Sequence, residues 1–176
     1  MFERLIDLII QLWDKASPGF IVDAYQDAGV LRFGRYNRTC APGFHWKIPF
    51  VEKAIEITTC LTTMRLPPQT LTTADGKVVV VTAIVRYRVR DVKPFITDIF
   101  DQQDALADVA MGAIRAAVRE HAHEELVANP PEDKIATKVR RTVNKYGFEI
   151  EAVTFADLAQ VRSFRLISAL PLDINN

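Results

Sequence analysis

The chain has 176 residues, 49% of them hydrophobic and 25% charged, which suits one domain with its own core and is short for two. Lys plus Arg and Asp plus Glu stand at 22 each, so no overall field points to nucleic acid or to a strongly anionic partner. Two cysteines, Cys40 and Cys60, without a CxxC pair, read as unpaired core thiols of a protein facing a reducing compartment rather than as a disulfide framework.

The first fifteen residues read MFERLIDLIIQLWDK. At helical spacing Phe2, Leu5, Ile6, Ile9, Leu12 and Trp13 share one side, while Glu3, Asp7, Gln11 and Asp14 line the other. This predicts an amphipathic helix over residues 1–17, ended by Ser17-Pro18-Gly19. Fourteen residues at ~1.5 Å each reach about 21 Å, short of the ~30 Å hydrocarbon core of a bilayer. Such a helix does not span. It lies in the membrane interface through those six apolar residues, or it packs on its own domain or clamps a neighbouring subunit. A cleavable leader is disfavoured by the missing basic start and small-residue cleavage site.

Strands and turns follow. Phe20–Gln26 reads as a short strand, Ala28-Gly29 as a turn into Val30–Phe33, Gly34 to Arg38 as a polar tip, and Pro42-Gly43 as a turn before Phe44–Ile48. In Lys53–Leu61, Ile55, Ile57 and Leu61 alternate with polar residues, which predicts one buried face. Asp75-Gly76 is a hairpin signal. It introduces Lys77–Arg90, where Val79, Val81, Ala83, Val85, Tyr87 and Val89 form one apolar face. Val78 and Val80 predict cover on the second face at the strand's start only, before Arg86, Arg88 and Arg90 turn it polar.

Beyond Asp91 the period becomes helical. Val92–Phe100 reads as a short helix, and Asp101 with Asp104 as the start of a longer one that packs through Leu106, Val109, Ala110, Ala113, Ile114 and Ala117. Pro130-Pro131 followed by Glu132 and Asp133 opens another, with Ile135, Val139, Val143 and Tyr146 inward and Gly147 as its stop. Phe148–Phe155 returns to strand. The fold class expected is α+β: a twisted, mostly antiparallel sheet with helices packed on it.

Little in the chain looks like chemistry. His121 and His123 with Glu124 and Glu125 resemble a metal cluster, but positions two apart on a helix face different ways, and a solvated helix end explains them as well. No Gly-rich phosphate loop or G-x-S-x-G frame is present. Arg32, Arg35 and Arg38 with Tyr36 are suited to lipid headgroups, or to a hairpin rim of snorkelling side chains.

Several segments together are familiar: Gly29-Val30 with Arg32-Phe33-Gly34-Arg35; Ala41-Pro42-Gly43-Phe44 with Ile48-Pro49-Phe50; Thr73-Ala74-Asp75-Gly76 with Tyr87-Arg88-Val89; Ala113-Ile114-Arg115; His123-Glu124-Glu125-Leu126; and Tyr146-Gly147-Phe148 with Val153 and Asp157. In this order and spacing they resemble the SPFH/band 7 domain of stomatins, prohibitins and flotillins. The resemblance implies an SPFH domain over residues 20–165 and a short tail over 166–176. It implies a non-enzymatic, cofactor-free homo-oligomer associated peripherally or monotopically with a lipid bilayer, scaffolding lipids or membrane proteins into microdomains or cages. The alternatives it leaves are a regulator enclosing a membrane protease or channel, and a soluble oligomer clamped by its N-terminal helix. The family's long coiled coil has no counterpart after Arg165, so assembly is expected to use the faces of the domain.

Overall fold

The computed structural model describes residues 18–161; the candidate helix over 1–17, with Phe2, Leu5, Ile6, Ile9, Leu12 and Trp13, and the tail over 166–176 lie outside them. Among the described residues nine strands precede, flank and follow four α-helices: β1 Gly19–Val22, β2 Gln26–Arg32, β3 Arg35–Cys40, β4 Gly43–Trp46, β5 Glu52–Thr58, β6 Thr62–Arg65, β7 Gln69–Thr72, β8 Val78–Val89, α1 Val92–Thr97, α2 Gln102–Glu120, α3 His123–Ala128, α4 Glu132–Val143 and β9 Phe148–Gln160. The architecture is α+β, and every strand pair is antiparallel.

The long strand β8 organises the larger half. Its partner β9 runs along it from Val79↔Gln160 to Val89↔Phe148. Because β9 occupies one edge throughout, β6 and β7 share the other, end to end, separated by Leu66-Pro67-Pro68. Two prolines without N–H groups make that break unavoidable. The alternating face predicted for β8 is buried at all six positions, Val79 through Val89, beneath α2 and α4. On the opposite face Val78 is exposed and Val80 only half-buried, so the second face is more open at the strand's start than its valines suggest.

Asp101 caps α2, its carboxylate accepting from Asp104 N at 3.4 Å. Leu106, Ala110, Ala113, Ile114, Ala117 and Val118 are buried along it, with Val109 partly so. Ile135, Ala136, Val139 and Val143 are the inner stripe of α4. Gly147 ends the following 3₁₀ turn at φ 85°, and a Cβ there would stand 2.1 Å from the Asp91 carbonyl oxygen, which excludes any larger residue.

The smaller half holds β3-β2-β5 and the two-stranded ribbon β1-β4, over a core of Val22, Ala28, Val30 and Cys40 with Phe20 against it. Here several expectations need correction. Ala28-Gly29 is no turn: β2 runs straight through it, and the turn lies at Ala24–Tyr25. The small pair serves helix packing instead, since a Cβ on Gly29 would stand 2.3 Å from Ile96 Cδ1 of α1. Gly34 to Arg38 is not a loose tip either; β3 starts at Arg35, and the turn is confined to Phe33-Gly34. Leu61 falls beyond β5 and is exposed. Both thiols are free, but only Cys40 is buried, Cys60 being at the surface.

Helix α1 joins the halves. Phe95 meets Phe148 edge-on at 5.1 Å in the large core, while the next residue, Ile96, leans on Gly29 of the small one.

Candidate functional site

Among the described residues, most of the large apolar side chains left exposed lie on the smaller half. In the β1–β4 ribbon Ile21 pairs with Phe44, and Gly19 with Trp46, so these four positions share one face. Ile21, Phe44 and Trp46 are 69%, 58% and 66% exposed. The other face carries Phe20 and Val22 toward the small core. The ribbon is thus apolar on both sides, where an ordinary half-buried ribbon would alternate. Phe44 stacks edge-on against Trp46 at 5.3 Å, and its ring lies over Gly19, where a Cβ would come within 2.7 Å of it.

At the tip beside this ribbon stand Phe33 and Phe50, each 80% exposed, and Ile48. Both phenylalanines have positive φ, 49° and 64°. A bulky side chain in the left-handed region costs roughly 1–2 kcal/mol, and such outliers persist where the surrounding structure over-determines them. The determining structure is a clasp around Glu52. Its side chain is 1% exposed and accepts from Arg32 Nη2 at 2.8 Å and Nε at 3.1 Å, from Arg38 Nη1 at 3.2 Å, from Asn37 Nδ2 at 3.3 Å and from Ile48 N at 3.1 Å. The Ile48 N–H first, then Arg32 and Arg38, hold the Glu52 carboxyl below its usual range against the desolvation of its site. Phe33 N donates to Val51 O at 3.1 Å, closing the loop that carries Phe50 onto the turn that carries Phe33.

Between the two aromatics an open groove of about 510 Å³ is lined by Leu31, Phe33, Gly34, Lys47, Phe50 and Lys53, among others. Exposed Arg35 lies at the same turn. The arginine cluster picked out in the sequence is therefore divided: Arg32 and Arg38 are spent on Glu52, and Arg35 is left to solvent with Lys47 and Lys53 nearby. Tyr36 turns to the Thr39 hydroxyl. Sequence alternation did not reveal Phe33, Phe50 and Trp46 as surface residues, because strand periodicity reads an aromatic as inward.

The other candidates lie apart. His121 Nδ1 meets Ala117 O at 2.8 Å, and His123 opens α3, its backbone N–H donating to Asp75 at 3.2 Å. The two rings are not brought onto a common ligand. Of the arginine row along β8 and just past its end, Arg88 approaches Glu149 at 3.9 Å, and Arg86 and Arg90 face solvent. Among the described residues no helix is long and apolar enough to cross a membrane.

Residues 20–161 match the SPFH domain / Band 7 family. The chain belongs to that family. A stomatin homolog of Pyrococcus horikoshii is 27% identical over 89% of this chain and 60% of its own length. An uncharacterized protein of Archaeoglobus fulgidus is 29% identical over 85% of this chain and 61% of its own. The modulator of FtsH protease HflK of Escherichia coli is 23% identical over 68% of this chain and 28% of its own. The chain thus spans less than two thirds of the length of these relatives. The expected α+β SPFH architecture holds in the described residues, from the early strands through the helices to the late strand β9.

Proposed function

We propose that this SPFH domain is a peripheral membrane scaffold whose lipid-facing side is the aromatic ribbon and tip of its smaller half. The observation that carries the reading is the exposure of Phe33, Phe44, Trp46 and Phe50 to water, two of them at an unfavourable φ. Trp and Phe partition to the bilayer interface, and the rim of Arg35, Lys47 and Lys53 suits lipid phosphates. The amphipathic segment with Phe2, Leu5, Ile6, Ile9, Leu12 and Trp13 would add a second anchor on the same chain. Two weak anchors reinforce each other, since the second insertion is effectively intramolecular. No residue is assigned a catalytic role.

The test is liposome flotation of the full chain beside Phe33→Ser/Phe50→Ser and Ile6→Glu/Ile9→Glu variants. Loss of flotation in the first, with its circular dichroism intact, supports the tip as a lipid contact. Flotation of the first variant at the wild-type level removes the tip from the membrane.

The relative named as a modulator of FtsH protease favours a second reading, in which the assembly regulates a membrane protease. Affinity capture from solubilised membranes tests it: a protease co-purifying with the intact assembly supports it, and a clean capture counts against it.

A further inference from the structure

We infer that the outer ridge of α2 is a self-complementary docking surface for a second copy of this chain, arranged antiparallel about a two-fold axis. At about 100° per residue, Asp104, Asp108, Gly112, Arg115 and Arg119 fall within an arc of about 80°, and all five are exposed. The core side of the helix is marked by Leu106, Ala110, Ile114 and Ala117, and the side toward α4 by Ala113, Ala116 and Glu120. The ridge is turned away from both.

Its charges are sorted: two carboxylates toward the N-terminus, two guanidiniums toward the C-terminus. Within one chain this is unfavourable, because Asp104 with Asp108 and Arg115 with Arg119 are like charges at i,i+4 spacing. The helix dipole accounts for Asp104 and Arg119, which lie in the first and last turns, but its effect fades before Asp108 and Arg115. None of the four has an ion-pair partner among the described residues.

A second copy supplies the partners. The midpoint of Asp104 and Arg119 is also the midpoint of Asp108 and Arg115, between Met111 and Gly112. A two-fold axis there sets Asp104 opposite the partner's Arg119 and Asp108 opposite the partner's Arg115, each pair formed twice, as an isologous contact requires. Gly112 sits beside that axis. A glycine in mid-helix weakens the helix, and a Cβ on Gly112 would meet nothing within 4 Å in its own chain. Packing inside the domain therefore does not demand glycine, whereas close approach of a second helix at the axis does.

The experiment is sedimentation velocity of the full chain in lipid-free buffer, so its result is independent of membrane binding. Asp108→Arg and Arg115→Asp are each expected to weaken self-association by at least about tenfold, since one substitution disrupts two symmetric pairs. The double variant Asp108→Arg/Arg115→Asp restores it with the charges exchanged. In a Cys60→Ser background, Asp108→Cys/Arg115→Cys cross-links two copies on mild oxidation, since position 108 of each copy faces position 115 of its partner, and Lys138→Cys on α4 does not. Unchanged association of both single variants, failure of the exchange to restore it, or cross-linking at Lys138→Cys in place of Asp108→Cys/Arg115→Cys overturns the inference.

Discussion

The Glu132 carboxylate accepts a hydrogen bond from the backbone N–H of Phe155 at 2.7 Å, so the first turn of α4 caps the outer side of β9. Phe155 borders an irregularity in the β8–β9 register, between Thr82 and Ala83. Eight residues along α4, Arg140 donates to Ile150 O from Nη2 at 2.9 Å and Nε at 3.1 Å, beside the second irregularity. One helix thus satisfies the backbone at both bulges of a strand whose outer edge has no strand neighbour among the described residues. Edge strands protected in this way resist pairing with other chains.

Glu132→Ala leaves the Phe155 N–H without its charged acceptor. The expected loss is about 1.5–3 kcal/mol, the worth of a hydrogen bond to a charged group. Urea denaturation measures it, and faster amide exchange at Phe155 localises it. Glu132→Gln, which keeps an acceptor oxygen, should recover part of the loss; equal losses for both variants would show that the charge at the α4 N-terminus matters and the acceptor does not.

Glycines divide into those that yield and those that do not. At Gly147 the obstacle is the Asp91 carbonyl oxygen and φ is 85°, so Gly147→Ala should cost at least ~1–2 kcal/mol from the backbone conformation alone. At Gly29 the obstacle is the terminal methyl of Ile96, which can turn aside. Gly29→Ala should therefore cost less, and Gly29→Ala/Ile96→Val should recover most of it. Thermal melts of the three variants decide the order. This contrast also shows where the sequence was legible. Gly147 was readable as a helix stop because a glycine after an apolar stripe has one common reason. Gly29 has the local signature of a turn because its actual reason, the seat of α1, is a tertiary contact from a helix more than sixty residues away. The valine alternation of β8 and the stripes of α2 and α4 were equally plain, since burial there follows the local period. The exposed aromatics of the tip were not, because their surroundings are set by Glu52, which reads in sequence as an ordinary surface acid.

Ile114 is fully buried in the large core. Ile114→Ala should cost about 2–5 kcal/mol, the lost transfer energy plus the cavity left between α2 and the sheet. Its effect on flotation, measured below the melting temperature, should be nil, which separates core damage from loss of a membrane contact.

Two depressed carboxyls set the acid sensitivity. Glu52 is held low by the Ile48 N–H and by Arg32 and Arg38; Asp75 is held well below the usual range by the Thr73 hydroxyl first and then by Lys77. A carboxyl whose folded pKa lies below its unfolded value, about 4, contributes stability that is complete above that value and lost as pH falls through the folded one. Stability should therefore hold at neutral pH and decline below about pH 4. Glu52→Gln should be less stable than the parent at pH 7, and the gap should narrow toward pH 2. A gap independent of pH would show that the Glu52 site is stabilised by shape and not by charge.

Phe33 and Phe50 join stability and function at one place. Each is bulky, largely in water, and at a φ that glycine adopts freely. If the aromatics are retained for a partner surface, Phe33→Gly and Phe50→Gly should relieve strain and raise stability, each by up to ~1 kcal/mol after the greater chain entropy of glycine is set against it. The same substitutions should weaken liposome flotation, and Trp46 fluorescence in a Trp13→Phe background should shift less to the blue on adding vesicles. Higher stability with weaker flotation is the signature of strain kept for binding. Lower stability in both variants would mean that the two rings pack on the domain, and the tip would then be a structural element of the fold.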